Sequence, residues 1–170
     1  LPEEANQHAA RVAALADGRR WILIALAVLF VQLTLGALVR HFEATLACLD
    51  MPACNLGGYW PAAFVQRIHM IHRGFGCLTA IVTVIAAVKV YRRAAAWPAL
   101  RGLAVLAPVI AAAQVTLGVY TVLTLRAVPV AVAHFAGATA LWGAWLGMAI
   151  LTGRGRRLMP GSTGAGGMVP

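Results

Sequence analysis

Four apolar runs dominate this chain and leave it few folds to choose from. They are "WILIALAVLFVQLTLGALV" (21–39), "IHMIHRGFGCLTAIVTVIAAVKVY" (68–91), "LRGLAVLAPVIAAAQVTLGVYTVLTL" (100–125) and "VPVAVAHFAGATALWGAWLGMAIL" (128–151). Each reaches the length of about 20 residues that crosses a hydrocarbon core about 30 Å thick. Backbone amides in lipid must be paired within their own segment, so each run is expected to be a helix. The expectation is an all-α membrane protein, a four-transmembrane-helix bundle, with Pro108 kinking the third helix. The first run reads as a span rather than a cleaved signal peptide, because charged, mixed sequence precedes it and no small-residue cleavage site follows. Residues 1–20 are then an amphipathic or loose arm, 21–152 the membrane domain with an outer loop over 40–67, and 153–170 a Gly- and Pro-rich disordered tail.

The net charge of +9 is a matter of topology. Arg11, Arg19 and Arg20 precede the first span, Lys89, Arg92, Arg93 and Arg101 flank the second turn, and Arg154, Arg156 and Arg157 follow the fourth span. In a four-helix serpentine all of these fall on one side, which the positive-inside rule makes cytoplasmic, with both termini there. This reading places the chain as a multi-pass protein of the inner (plasma) membrane and leaves the charge no nucleic-acid role.

On the other face the loop carries Cys48 and Cys54, in "LACLDMPACNLGGYWP". That compartment is oxidising, and a disulfide between them would close a small loop around Pro52. Free thiols or a metal pair are the alternatives. Tyr59 and Trp60 suit the membrane interface, and Cys77, inside the second span, reads as a small packing residue.

Two segments share a Gln-x-Thr-Leu-Gly core: "QLTLGALV" at 32–39 in the first span and "QVTLGVYT" at 114–121 in the third. The second and fourth spans each carry a histidine soon after their start, His72 and His134. This pattern fits two pseudo-symmetric helical hairpins related by an axis along the membrane normal, N-in and C-in. Gly36 and Gly118 would allow close helix approach. An imidazole on each side of a bundle interior suits axial ligation of a planar cofactor, haem above all. Arg73, beside His72, and Arg40 and Arg126, at the ends of the first and third spans, could bind its propionates by paired hydrogen bonds, or could be snorkelling arginines at the interface. His69 lies on nearly the same helix face as His72, one turn nearer the surface; it could bond a propionate, relay protons or serve as an alternative ligand. Copper or zinc held by His69, His72 and His134 is a further option, though no carboxylate is near to orient the rings.

The stretches "LGALVRHFEATLACLDMPAC", "HMIHRGF", "QVTLGVYTVL" and "VAVAHFAG" together resemble the haem A synthase family of cytochrome oxidase assembly proteins, from about residue 30 to 145. Members usually have eight helices in two four-helix halves, each with a His pair at the positions of His72 and His134 and an outer-loop cysteine pair matching Cys48 and Cys54. The resemblance is to one half, most like the C-terminal one, which holds a haem b cofactor. It implies oxidation of the C8 methyl of haem O to the formyl of haem A, by an oligomer or as half of a larger enzyme. The partners it implies are haem, the bilayer, a second copy of the chain, haem O synthase or respiratory-complex subunits. The family's substrate half has a Glu three residues before its helix-2 His; here that position is His69, the candidate catalytic residue, and no acid occurs in the four spans. A bis-His haem b subunit that carries electrons or holds haem in a respiratory complex fits the same residues without that Glu. A bundle with incidental histidines is the third alternative.

Overall fold

The computed structural model describes residues 2–55 and 58–157. The described residues are all-helical apart from turns and one isolated bridge. The helices are α1 (Pro2–His41), α2 (Phe64–Arg93), α3 (Pro98–Leu123) and α4 (Val128–Arg157), with a 3-10 turn at Ala44–Leu46. All four contain stretches long and apolar enough to cross a membrane. Each helix packs on its sequence neighbours, and α4 closes the ring against α1, so α2 and α4 face each other across the bundle.

The helices run longer than hydropathy alone suggests. Residues 2–20, expected as an amphipathic or loose arm, continue α1 as helix, in a segment rich in the strong helix formers Ala, Glu and Arg. α2 starts at Phe64, ahead of the apolar run at 68, so the loop is 42–63 rather than 40–67. α3 passes through Pro108 as one helix, with Pro98 in its first turn where a missing N–H is harmless. α4 extends to Arg157; the rest of the tail expected to be disordered, 158–170, lies outside the described residues.

The main core fills the half of the bundle away from the 42–63 loop. Ile22, Ala25 and Leu29 of α1 meet Ala86, Ala87 and Val90 of α2, Ala104, Ala107 and Ala111 of α3, and Leu141, Trp145 and Met148 of α4. Alanine on three helices allows close approach, and Trp145, fully buried, fills the space this leaves. Large apolar side chains such as Phe30, Ile81, Val109 and Phe135 point outward, as lipid contact requires. Cys77 is exposed too, so it is not the packing residue its place in the span suggests; the helix turns it away from the bundle. An Arg93–Asp17 ion pair and an Arg101 guanidinium 4.1 Å from the Tyr91 ring tie the helices at this end.

At the loop end the buried apolar cluster shrinks to Val39, Ala44 and Ile68. Between the two clusters, the interior changes from apolar to polar.

Candidate functional site: a histidine–glutamine layer

His72 is the ninth residue of α2 and His134 the seventh of α4. At about 1.5 Å per residue they lie about 12 and 9 Å from the loop-side ends of their helices, within a turn of one another in depth. They stand on helices that face each other across the bundle.

The two histidines meet the same residue types on the helix beside them. Against α1, a Cβ on Gly36 would lie 3.2 Å from His72 Cε1; against α3, one on Gly118 would lie 3.3 Å from His134 Cε1. Each glycine is therefore a slot for an imidazole edge. One turn further from the loop come Gln32 and Gln114, each nine residues before its helix ends. Gln32 Nε2 sits 3.2 Å from His72 Nδ1 and donates to the His72 carbonyl oxygen at 3.2 Å. A Cβ on Gly76 would come within 3.1 Å of Gln32 Nε2, and one on Gly137 within 2.0 Å of Gln114 Nε2. The repeated Thr side chains are satisfied within their own helices, Thr34 donating to the Phe30 carbonyl and Thr116 to that of Ala112. The glutamines carried no role in the sequence reading; their place in the repeat was the only signal for them.

This layer is where buried polar atoms lack partners. Of seven such side-chain atoms among the described residues, five belong to Gln32 (Oε1), Gln114 (Oε1 and Nε2), His69 (Nδ1) and His134 (Nδ1). An unpaired buried polar group costs about 1–3 kcal/mol, so a concentration of them in one layer fits a group that completes it.

His69 and Arg73 serve the loop. His69 is 4% exposed, and Arg73 Nε donates to its Nε2 at 3.2 Å. A guanidinium can only donate, so the His69 ring proton is on Nδ1. The other Arg73 donors reach loop backbone: Nη2 to the Cys48 carbonyl at 2.5 Å, and Nη1 to those of Asp50 at 2.9 Å and Ala53 at 3.3 Å. Arg73 is thus engaged by the loop. Cys48 and Cys54, both buried, have their sulfurs 1.99 Å apart, and Gln66 donates to the Ala47 carbonyl beside them.

Arg40 and Arg126 meet through one carboxylate. Arg40 Nη1 donates to Glu43 Oε1 and Arg126 Nη1 to Glu43 Oε2, each at 2.9 Å, linking the end of α1 to the α3–α4 turn. The Arg126 hydrogen bond, with the Arg40 charge, holds the Glu43 carboxyl below its ordinary value of 4.5. Glu43, Leu125 and Arg126 all have left-handed backbone, with φ of 50°, 49° and 65°, a conformation that costs about 1–2 kcal/mol per residue. Among the described residues no three His, Cys, Asp or Glu side chains gather as a metal-binding group.

The model of the cytochrome oxidase assembly protein family matches residues 2–146. The Heme A synthase of Halalkalibacterium halodurans is 32% identical over 116 residues, 67% of this chain and 38% of that protein. That of Paracoccus denitrificans is 33% identical over 127 residues, 66% of this chain and 32% of its own length. That of Geobacillus kaustophilus is 31% identical over 122 residues, 72% of this chain and 38% of its own. The chain thus spans roughly a third of the length of the curated relatives it matches.

Proposed function

Because the chain belongs to the cytochrome oxidase assembly protein family, we propose that it is a haem A synthase-type membrane protein that binds haem b between His72 and His134 and takes part in oxidising the haem O methyl to the formyl of haem A. One observation carries this reading: two imidazoles on facing helices, each seated on a glycine, in the layer that holds most of the unpartnered buried polar atoms. Haem, when bound, supplies the redox chemistry. The chain's own residues bind and orient it. His72 and His134 would hold the haem iron. Arg40 and Arg126, at the loop end with Glu43 between them, face the propionates. Arg73, beside His72, is the third guanidinium offered to a propionate, and its N–H groups also reach the loop carbonyls. His69, with its proton on Nδ1, stands at the position where the family's substrate half has Glu, and is the candidate catalytic residue in a copy of this chain that serves as the substrate half.

The two hairpins, α1–α2 and α3–α4, are halves of a repeat about an axis along the membrane normal. The start of α1 and the end of α4 lie on the cytoplasmic side of the plasma membrane, the side that the arginine distribution favours. Residues 21–152 form the haem domain, and Cys48 and Cys54 form a disulfide. A second copy of this chain, or the remainder of a longer enzyme, supplies the substrate half; haem O synthase or respiratory-complex subunits are the further partners.

The absence of an acid from the spans favours a second reading, a bis-His haem b subunit that carries electrons or holds haem without synthase activity. The two are separated by purifying the chain from cells that also make haem O and identifying the extracted haems chromatographically. Haem A together with haem O establishes the synthase; haem b alone supports the carrier or a cofactor half that works only with a separate substrate half.

A further inference from the structure

The Gln-x-Thr-Leu-Gly repeat contains a residue for which haem ligation alone gives no reason. A bundle interior gains nothing from an unpaired amide, yet Gln32 and Gln114 occupy one register on α1 and α3, with glycines opposite them. Gln114 is seated so closely that a Cβ at Gly137 would come within 2.0 Å of its Nε2 and 3.0 Å of its Cδ. Neither of its amide atoms has a partner, and neither has Gln32 Oε1 nor His134 Nδ1.

We propose that Gln32 and Gln114 are positioning residues, their amide carbonyls accepting the Nδ1 hydrogens of the axial histidines His72 and His134. This rests on the haem-ligation reading above. A histidine that gives its Nε2 lone pair to iron carries its hydrogen on Nδ1, and the acceptor of that hydrogen fixes the ring's orientation and basicity. The contact for such a bond exists at 3.2 Å between the Gln32 amide and His72 Nδ1. There the amide nitrogen faces the ring, leaving Oε1 unpartnered. An amide carries donor and acceptor on one carbon, so a half-turn brings Oε1 to Nδ1, at the expense of the Nε2 bond to the His72 carbonyl. In the second hairpin Gln114 Oε1 and His134 Nδ1 are buried on neighbouring helices without a well-formed hydrogen bond, and the Gln114 backbone also approaches the His134 ring. Gly36 and Gly118, one turn nearer the loop, hold the Cε1 edges of the rings, with Nδ1 3.7 Å from a Cβ at Gly36 and 3.9 Å from one at Gly118. The repeat is then one device used twice: a glycine to seat the imidazole and a glutamine to orient it.

The test is a redox titration and a low-temperature EPR spectrum of the haem-loaded chain, with Gln32→Leu, Gln32→Glu, Gln114→Leu and Gln114→Glu compared with the wild type. A stronger acceptor makes the imidazole a stronger donor to iron and stabilises the ferric state. The Glu variants therefore lower the midpoint potential and the highest ferric g value, while the Leu variants raise both, each measured on the haem-bound fraction. Gly137→Ala, which displaces the Gln114 amide without touching His134, shifts the potential as Gln114→Leu does. A purely structural glutamine would change melting temperature and leave potential and g values alone, and that result overturns the proposal. If a Leu variant does not fold, its near-isosteric Glu variant decides. A folded wild type without haem refutes the ligation reading and this proposal with it; a loaded wild type with unshifted variants refutes this proposal only.

Discussion

Removing the Arg73 guanidinium should release the 47–55 segment while leaving the helices in place. Its N–H groups reach the carbonyls of Cys48, Asp50 and Ala53 and the ring of His69. A hydrogen bond from a charged group contributes about 1.5–3 kcal/mol. The Asp50 contact is exposed, and the bonds share one side chain, so they do not add in full. Counting the Cys48 bond and part of the rest gives about 3 kcal/mol, roughly a hundredfold in the opening equilibrium of the loop. Arg73→Met keeps much of the aliphatic stem and loses every one of these donors. Cys48 and Cys54 are 0% and 1% exposed, so a bulky water-soluble phosphine reaches their bond only when the loop opens. The variant should be reduced about a hundredfold faster, and amide hydrogens in the segment should exchange faster in proportion, with α3 and α4 unchanged. A rate within threefold of wild type would refute the view that Arg73 holds the loop.

Two further outcomes follow from other contacts. Gly36→Ala and Gly118→Ala place a methyl 3.2–3.3 Å from an imidazole carbon, so each should lower haem retained after purification, whereas Gly143→Ala, with nothing within 4 Å, should not; equal retention in all three would remove the glycine slots from the account. The Glu43 carboxyl, held below 4.5 by Arg126 and Arg40, contributes stability that is fully present above its unfolded pKa and is lost as pH falls through the lower, folded one. Thermal melting of wild type and Glu43→Gln should therefore differ by a constant small amount above about pH 5 and converge in more acid solution; divergence on acidification would contradict the ion-pair assignment.

Much of this architecture is legible in the sequence because lipid removes alternatives. Four apolar runs can only be helices, and a histidine inside two of them stands out. What was not legible depended on how chain segments meet. Arg73 adjoins His72, so sequence alone points it at the same ligand; the loop folds back over α2 and offers three carbonyls that no local pattern announces. Gln32 and Gln114 were visible as a repeat, but the pattern does not say which helix face meets an imidazole. Arg40 and Arg126 are 86 residues apart in the chain, and only the α3–α4 turn with its two left-handed residues brings them to Glu43. Cys77 shows the limit from the other direction: a small residue in a span can face lipid as readily as the core.

The most direct test of the account is the haem content of the detergent-purified chain, with oxidised and dithionite-reduced spectra, for wild type, His72→Ala and His134→Ala. The account predicts a six-coordinate low-spin haem in the wild type and loss of that spectrum in each variant, while both variants keep their helical content. Folded wild type without haem, or the same low-spin spectrum after either histidine is removed, would contradict it.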